Sequence, residues 1–165
     1  MNARDLVISS RDGEVDVRVR GRANFEYAVP LREIARKPET LRSVKIELAE
    51  CTAMDSTFMG VLTMLSVAAR RRGFEVELRN ASNMLQNLLK GLGVLKLFRF
   101  TQGDIAPEDG DAAVAGASSK LDTAETVVEA HKILGEADHE NVERFSTVIR
   151  FAEADAEKLR REEKK

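Results

Sequence analysis

Three times along its first part, the chain passes from a run of alternating apolar residues into an amphipathic stripe of helical period. Val15, Val17 and Val19 alternate with Asp16, Arg18 and Arg20, and the stripe Ala28, Leu31, Ile34 and Ala35 follows. Val44, Ile46 and Leu48 precede Phe58, Val61, Leu62, Leu65, Ala68 and Ala69; Phe74, Val76 and Leu78 precede Leu85, Leu88, Leu89 and Leu92. A period of two buries one face of a strand, and a period near 3.6 buries one face of a helix. Strands joined through helices of this length lie parallel in a single sheet. The repetition therefore predicts an α/β domain.

A short β-prone segment at residues 6–9 comes before the first alternating run, with Gly13 between them, which predicts an N-terminal hairpin. A last strand is expected over residues 94–100. The order is then ββαβαβαβ, a mixed sheet with helices packed on it, over residues 1–100. Local signals set the boundaries. Pro30 is read in the first turn of the first helix, which Lys37-Pro38 stops. Asp55 stands as N-cap of the second helix, and Gly73 ends it. Ser82 caps the third, and Gly91 and Gly93 close it.

Composition changes after that. Residues 101–120 hold three Asp, one Glu, three Gly and many Ala and Ser, and read as a flexible linker that includes Pro107. Residues 121–165 return to helical periodicity. Val127, Val128, His131 and Leu134 form one stripe; Val142, Phe145, Ile149, Ala152, Ala156 and Leu159 form another. Gly135 is expected to break the chain between them, with Asp138 capping the second. The second stripe is too apolar to stay solvated on a lone helix, so this extension should dock on its own domain or form a homodimer.

Several function classes are disfavoured. With 26 basic and 28 acidic residues the net charge is -2, the wrong balance for a nucleic-acid binder. Cys51, the only cysteine, excludes an intrachain disulfide and reads as a small core residue. No apolar run approaches bilayer length, and no signal-peptide core follows the charged residues 1–5, so no direct membrane insertion and a cytoplasmic location are expected. Arg70, Arg71 and Arg72 fall in the last turn of the second helix, where positive charge complements the dipole. His131 and His139 show no metal-ligand pattern, and Gly91-Leu92-Gly93 follows a helix where a dinucleotide loop would open one. No catalytic constellation is visible, and no cofactor or metal is expected.

The segment between the third strand and the second helix, Met54-Asp55-Ser56-Thr57-Phe58-Met59-Gly60, carries the clearest chemistry. Free N–H groups and the positive dipole end at a helix start favour a phosphate. Asp, Ser and Thr also cap helices there with no further role, and residue preference alone favours that plainer reading. Here the chain resembles a known family. Met54-Asp55-Ser56-Thr57 with Gly60 is similar to the switch segment of STAS domains that antagonise anti-sigma factors. Gly21-Arg22, Asn24 and Leu31-Arg32 upstream resemble that family, as do Leu78-Arg79-Asn80-Ala81-Ser82 and Gly91-Leu92-Gly93-Val94-Leu95-Lys96-Leu97-Phe98 downstream.

The resemblance implies a non-enzymatic switch. Its partner is an anti-sigma factor that is also a serine protein kinase, bound while Ser56 is unphosphorylated and released by phosphate there. Thr57 is the alternate acceptor. Asn24, Asp55, Met59, Ser82 and Asn83 are implied on the partner-facing rim, with Met59 as an apolar anchor if it points outward. The family commonly has a Ser-Gly pair after its phosphoserine, and this chain has Thr57-Phe58 instead. STAS folds also occur without a phosphoswitch, which keeps an alternative open: a subunit of a membrane lipid-transport or stress-sensing complex.

Overall fold

The computed structural model describes residues 5–105, 111–112 and 118–164. Strands β1 (Leu6–Arg11) and β2 (Glu14–Ala23) form the antiparallel hairpin. Helix α1 (Phe25–Arg36), strand β3 (Ser43–Met54), helix α2 (Ser56–Arg72), strand β4 (Glu75–Arg79), helix α3 (Asn83–Gly91) and strand β5 (Arg99–Thr101) follow. Strands β2, β3, β4 and β5 run parallel to one another. A two-residue strand β6 (Asp111–Ala112) pairs antiparallel with β1, giving the sheet order β5-β4-β3-β2-β1-β6. The α/β class and the element order read from the sequence hold.

The alternating residues do what their period requires. Val15, Val17, Val19, Val44, Ile46, Leu48 and Leu78 are buried, and so are Leu31, Phe58, Leu62 and Leu65 from the helices. Each such side chain contributes about 1.5–3 kcal/mol relative to exposure.

Local details differ from the sequence reading. Segment 94–100 is mostly not strand: Val94 closes back on α3, its N–H bonding Leu89 O at 3.1 Å, and a 3-10 turn follows at Leu95–Leu97. Gly93, at φ 72°, supplies the left-handed residue that makes this turn. The backbone is thus satisfied locally before β5 reaches the sheet. Pro30 sits in the second turn of α1, because Asn24 starts that helix earlier than the apolar stripe does.

The extension forms α4 (Lys120–Ala137), a short α5 (Glu140–Arg144) and α6 (Ser146–Glu163). Gly135 lies within α4 and does not break it. The chain turns at Asp138, whose carboxylate accepts the Glu140 N–H at 3.0 Å. Helix α4 packs on α1 and α2, not on the sheet, and α6 packs back on α4. Of the residues read as linker, Thr101 belongs to β5, Asp111 and Ala112 to β6, and Lys120 to α4; Pro107 lies outside the described residues.

Candidate functional site

Parallel strands β2 and β3 end side by side, with Ala23 opposite Met54, and each hands over to a helix. The Asp55 N–H donates to Ala23 O at 2.9 Å and ties the two ends together. Asn24 caps α1, its Oδ1 accepting from the Glu26 N–H at 2.9 Å. Asp55 caps α2, its Oδ1 accepting from the Phe58 N–H at 2.8 Å. The backbone N–H of Phe25, at the start of α1, also favours the ionised form of this carboxylate. Burial pushes the Asp55 pKa up, against the opposing pull of those N–H groups and His131.

Ser56 is the first residue of α2 and is half-buried. Its Oγ lies 2.7 Å from His131 Nε2, on α4. The other ring nitrogen, Nδ1, lies 2.7 Å from the Val127 carbonyl. A carbonyl only accepts, so Nδ1 carries the hydrogen, Nε2 is bare, and the Ser56 hydroxyl donates to it. His131 is buried and its pKa is lowered by that burial. Its ring meets Phe145 edge-on, 4.7 Å between centroids.

One turn along α2, Gly60 crosses Ala130. A Cβ at residue 60 would stand 2.6 Å from the Ala130 Cβ, so the two helices approach as closely as their backbones allow. Alongside, the fully buried Arg32 side chain of α1 faces α4. Its Nε bonds Glu129, its Nη2 bonds Glu125 at 3.1 Å, and its Nη1 stands 3.8 Å from Glu33. Burial works against the Arg32 charge, and the two α4 carboxylates outweigh it, leaving its pKa raised. At the far end of the extension, buried Asn141 donates to Leu92 O at 2.8 Å, and Arg144 donates to Gly91 O at 3.1 Å. These carbonyls end α3, where a helix leaves acceptors unused.

The sequence-derived residues fall into two groups. Asn24, Asp55 and Ser56 share the edge where β2 and β3 end. Ser82 caps α3 by accepting from the Leu85 N–H at 3.2 Å, and it and Asn83 are exposed. No hydrogen bond among the described residues joins either to Ser56, because β4 stops opposite Glu47 while β3 runs on to Met54. Met59 is 5% exposed, part of the hydrophobic core, and so is no outward anchor. Thr57 is buried, and Phe58 points wholly into the core. The sequence reading missed Arg32 as a site residue, and with it the acidic pair Glu125 and Glu129. The signal was there: two carboxylates four apart on a stripe that also carries Ala130 and His131.

Residues 6–99 match the family model described as "Mlab, STAS domain", and the chain belongs to the STAS domain family. The Bacillus cell fate determinant SpoIIAA in its phosphorylated form aligns with a TM-score of 0.51 at 12% identity, over 60% of this chain and 91% of that one. The anti-sigma factor antagonist SpoIIAA in its unphosphorylated form gives 0.49 at 12% identity, over 61% and 89%. A sulfate transporter family protein from Wolinella succinogenes gives 0.49 at 20% identity, over 56% and 80%. No curated protein matches. Among the described residues, no helix is long and apolar enough to cross a membrane.

Proposed function

We propose that this STAS-family chain is a non-catalytic regulator, an anti-sigma-factor antagonist in the cytoplasm that binds an anti-sigma serine kinase and is released when Ser56 is phosphorylated. The observation that carries the reading is the position of Ser56: a hydroxyl on the first residue of α2, directly after the capping Asp55, at the edge where two parallel strands end. A phosphate there adds a charge of about -1.5 to -2 at the end of the helix that favours anions. It therefore changes what the edge can bind without requiring the domain to unfold. The fold shared with SpoIIAA, a protein seen in a phosphorylated form, supports this choice of class.

Asn24 and Asp55 form the centre of the partner-binding edge, and Ser82 and Asn83 are an outlying part of it. Thr57, buried beneath the helix start, is the poorer acceptor. The test is incubation with the anti-sigma serine kinase of the same genome and ATP, followed by site mapping. Label on Ser56 that disappears in Ser56→Ala is the expected result. Equal labelling of the alanine variant, or none of either, overturns the reading.

A second reading has one observation in its favour. The Ser56 hydroxyl already serves a structural purpose, holding His131 of the extension. In a STAS subunit without a phosphoswitch, in a lipid-transport or stress-sensing assembly, that would be its whole role, and the kinase would leave Ser56 unlabelled.

A further inference from the structure

The extension does not hang from the domain; it sits on the switch. Helix α4 touches the α1–α2 face at three places in a row: Glu125 and Glu129 on Arg32, Ala130 on Gly60, and His131 on Ser56. We infer that α4–α6 is an intramolecular ligand of this face, seated only while the Ser56 hydroxyl is unmodified, so that a phosphate on Ser56 and a docked α4 exclude each other. This rests on Ser56 being the phosphoacceptor.

The geometry leaves one hydrogen between Ser56 Oγ and His131 Nε2, 2.7 Å apart. In transfer from ATP, a bond from Oγ to the γ-phosphorus replaces the bond between the β- and γ-phosphates. The hydroxyl proton leaves through the kinase to solvent, and ADP departs. Three phosphate oxygens must then fit where a proton was. The helix pair has no slack to give, because one turn away the Gly60–Ala130 crossing already lacks room for a methyl group. The Asp55 carboxylate on the same edge adds like charge. A proton on His131 Nε2 would give the phosphate a donor, but the ring is buried, and burial disfavours its charged form.

The coupling is reciprocal, as any such linkage must be. A docked α4 covers Ser56 and withholds it from a kinase, and a phosphate on Ser56 releases α4. Release uncovers Arg32, a fully buried cation whose counter-charges Glu125 and Glu129 leave with the helix. The opened face then suits a partner helix that brings a carboxylate pair and a small residue at the crossing.

Hydrogen exchange with mass spectrometry on the full chain tests this. Wild type, Ser56→Ala, Ser56→Glu and Gly60→Ala are compared. Gly60→Ala is an uncharged wedge that also favours the α2 helix intrinsically. Exchange across α4 and α6 should accelerate about tenfold or more in Ser56→Glu and in Gly60→Ala, while β2, β3 and β4 stay protected and Ser56→Ala, which loses only the hydrogen bond to His131, accelerates less than Ser56→Glu. Wild-type protection of α4–α6 in Ser56→Glu overturns the inference, and so does wild-type protection in Gly60→Ala if Ser56→Glu does not fold. Kinase labelling of Ser56 with α4 still protected in the phosphorylated chain overturns it too, yet leaves the proposed function standing. A kinase that ignores Ser56 removes the proposed function and leaves the Ser56→Glu measurement intact.

Discussion

Ser56 and His131, 75 residues apart in the chain, share a hydrogen bond of 2.7 Å that joins the start of α2 to the middle of α4. The serine belongs to the STAS fold and the histidine to the extension. A residue read from sequence as lining a helix face is thus the direct partner of the residue read as the switch.

That pairing has a pH signature. Burial lowers the His131 pKa, so the unfolded chain takes up this proton at a higher pH than the native one does. The contribution of neutral His131 is fully present above the unfolded pKa and is lost as pH falls below it. Asp55, the acid nearest the ring, is shifted the other way: burial raises its pKa, so its unfavourable share grows as pH rises through the carboxylate range, a lower window. Denaturant midpoints should therefore fall from about pH 7 to pH 5.5 in wild type and change less in His131→Gln. Identical slopes for the two proteins would remove the buried histidine from the account.

Arg32 and its two carboxylates should respond asymmetrically. Arg32→Met fills similar space and leaves Glu125 and Glu129, both partly exposed, to water, at a cost of about 1–2 kcal/mol. The double change Glu125→Gln with Glu129→Gln leaves a fully buried guanidinium with only the more distant Glu33 as counter-charge, at about 3–5 kcal/mol. Urea denaturation of both variants checks the order, and the reverse order would contradict the buried position of Arg32.

Asp55 is a cap as well as the direct neighbour of Ser56. Asp55→Ala should lose about 1–2 kcal/mol, because the Phe58 N–H is left without its acceptor. Asp55→Asn keeps an oxygen in place and avoids a buried charge, so its stability should stay close to wild type in the same denaturation experiment. Phe58→Ala, next along α2 and wholly buried, should cost about 3–5 kcal/mol.

What the sequence revealed and what it hid divide along physical lines. Val15, Val17 and Val19, or Val44, Ile46 and Leu48, carry their period in the chain itself, so the strands and their order were legible. Two caps were too, since Asp55 and Ser82 act within three residues of where they stand, whereas Asn24, read only as part of the partner-facing rim, also caps a helix. The misreadings arose where a local turn or a distant contact overrides the period of the residues. Residues 94–100 look like strand, but Gly93 and the end of α3 turn them into a loop and a 3-10 turn. Gly135 looks like a breaker; it stays helical inside α4, beside Val142 at close approach. Met59 looks available at a helix start but is buried, and Arg32 resembles a surface charge until α4 closes over it. The burial of Arg32 is not encoded locally: its two carboxylate partners stand on α4, far along the chain.

If Ser56 governs binding, its phosphate must change the affinity for the partner. Calorimetric titration of the anti-sigma serine kinase with the full chain, once unphosphorylated and once stoichiometrically phosphorylated at Ser56, gives the two dissociation constants. The phosphorylated chain should bind at least about tenfold more weakly. Equal affinity of the two forms would contradict it.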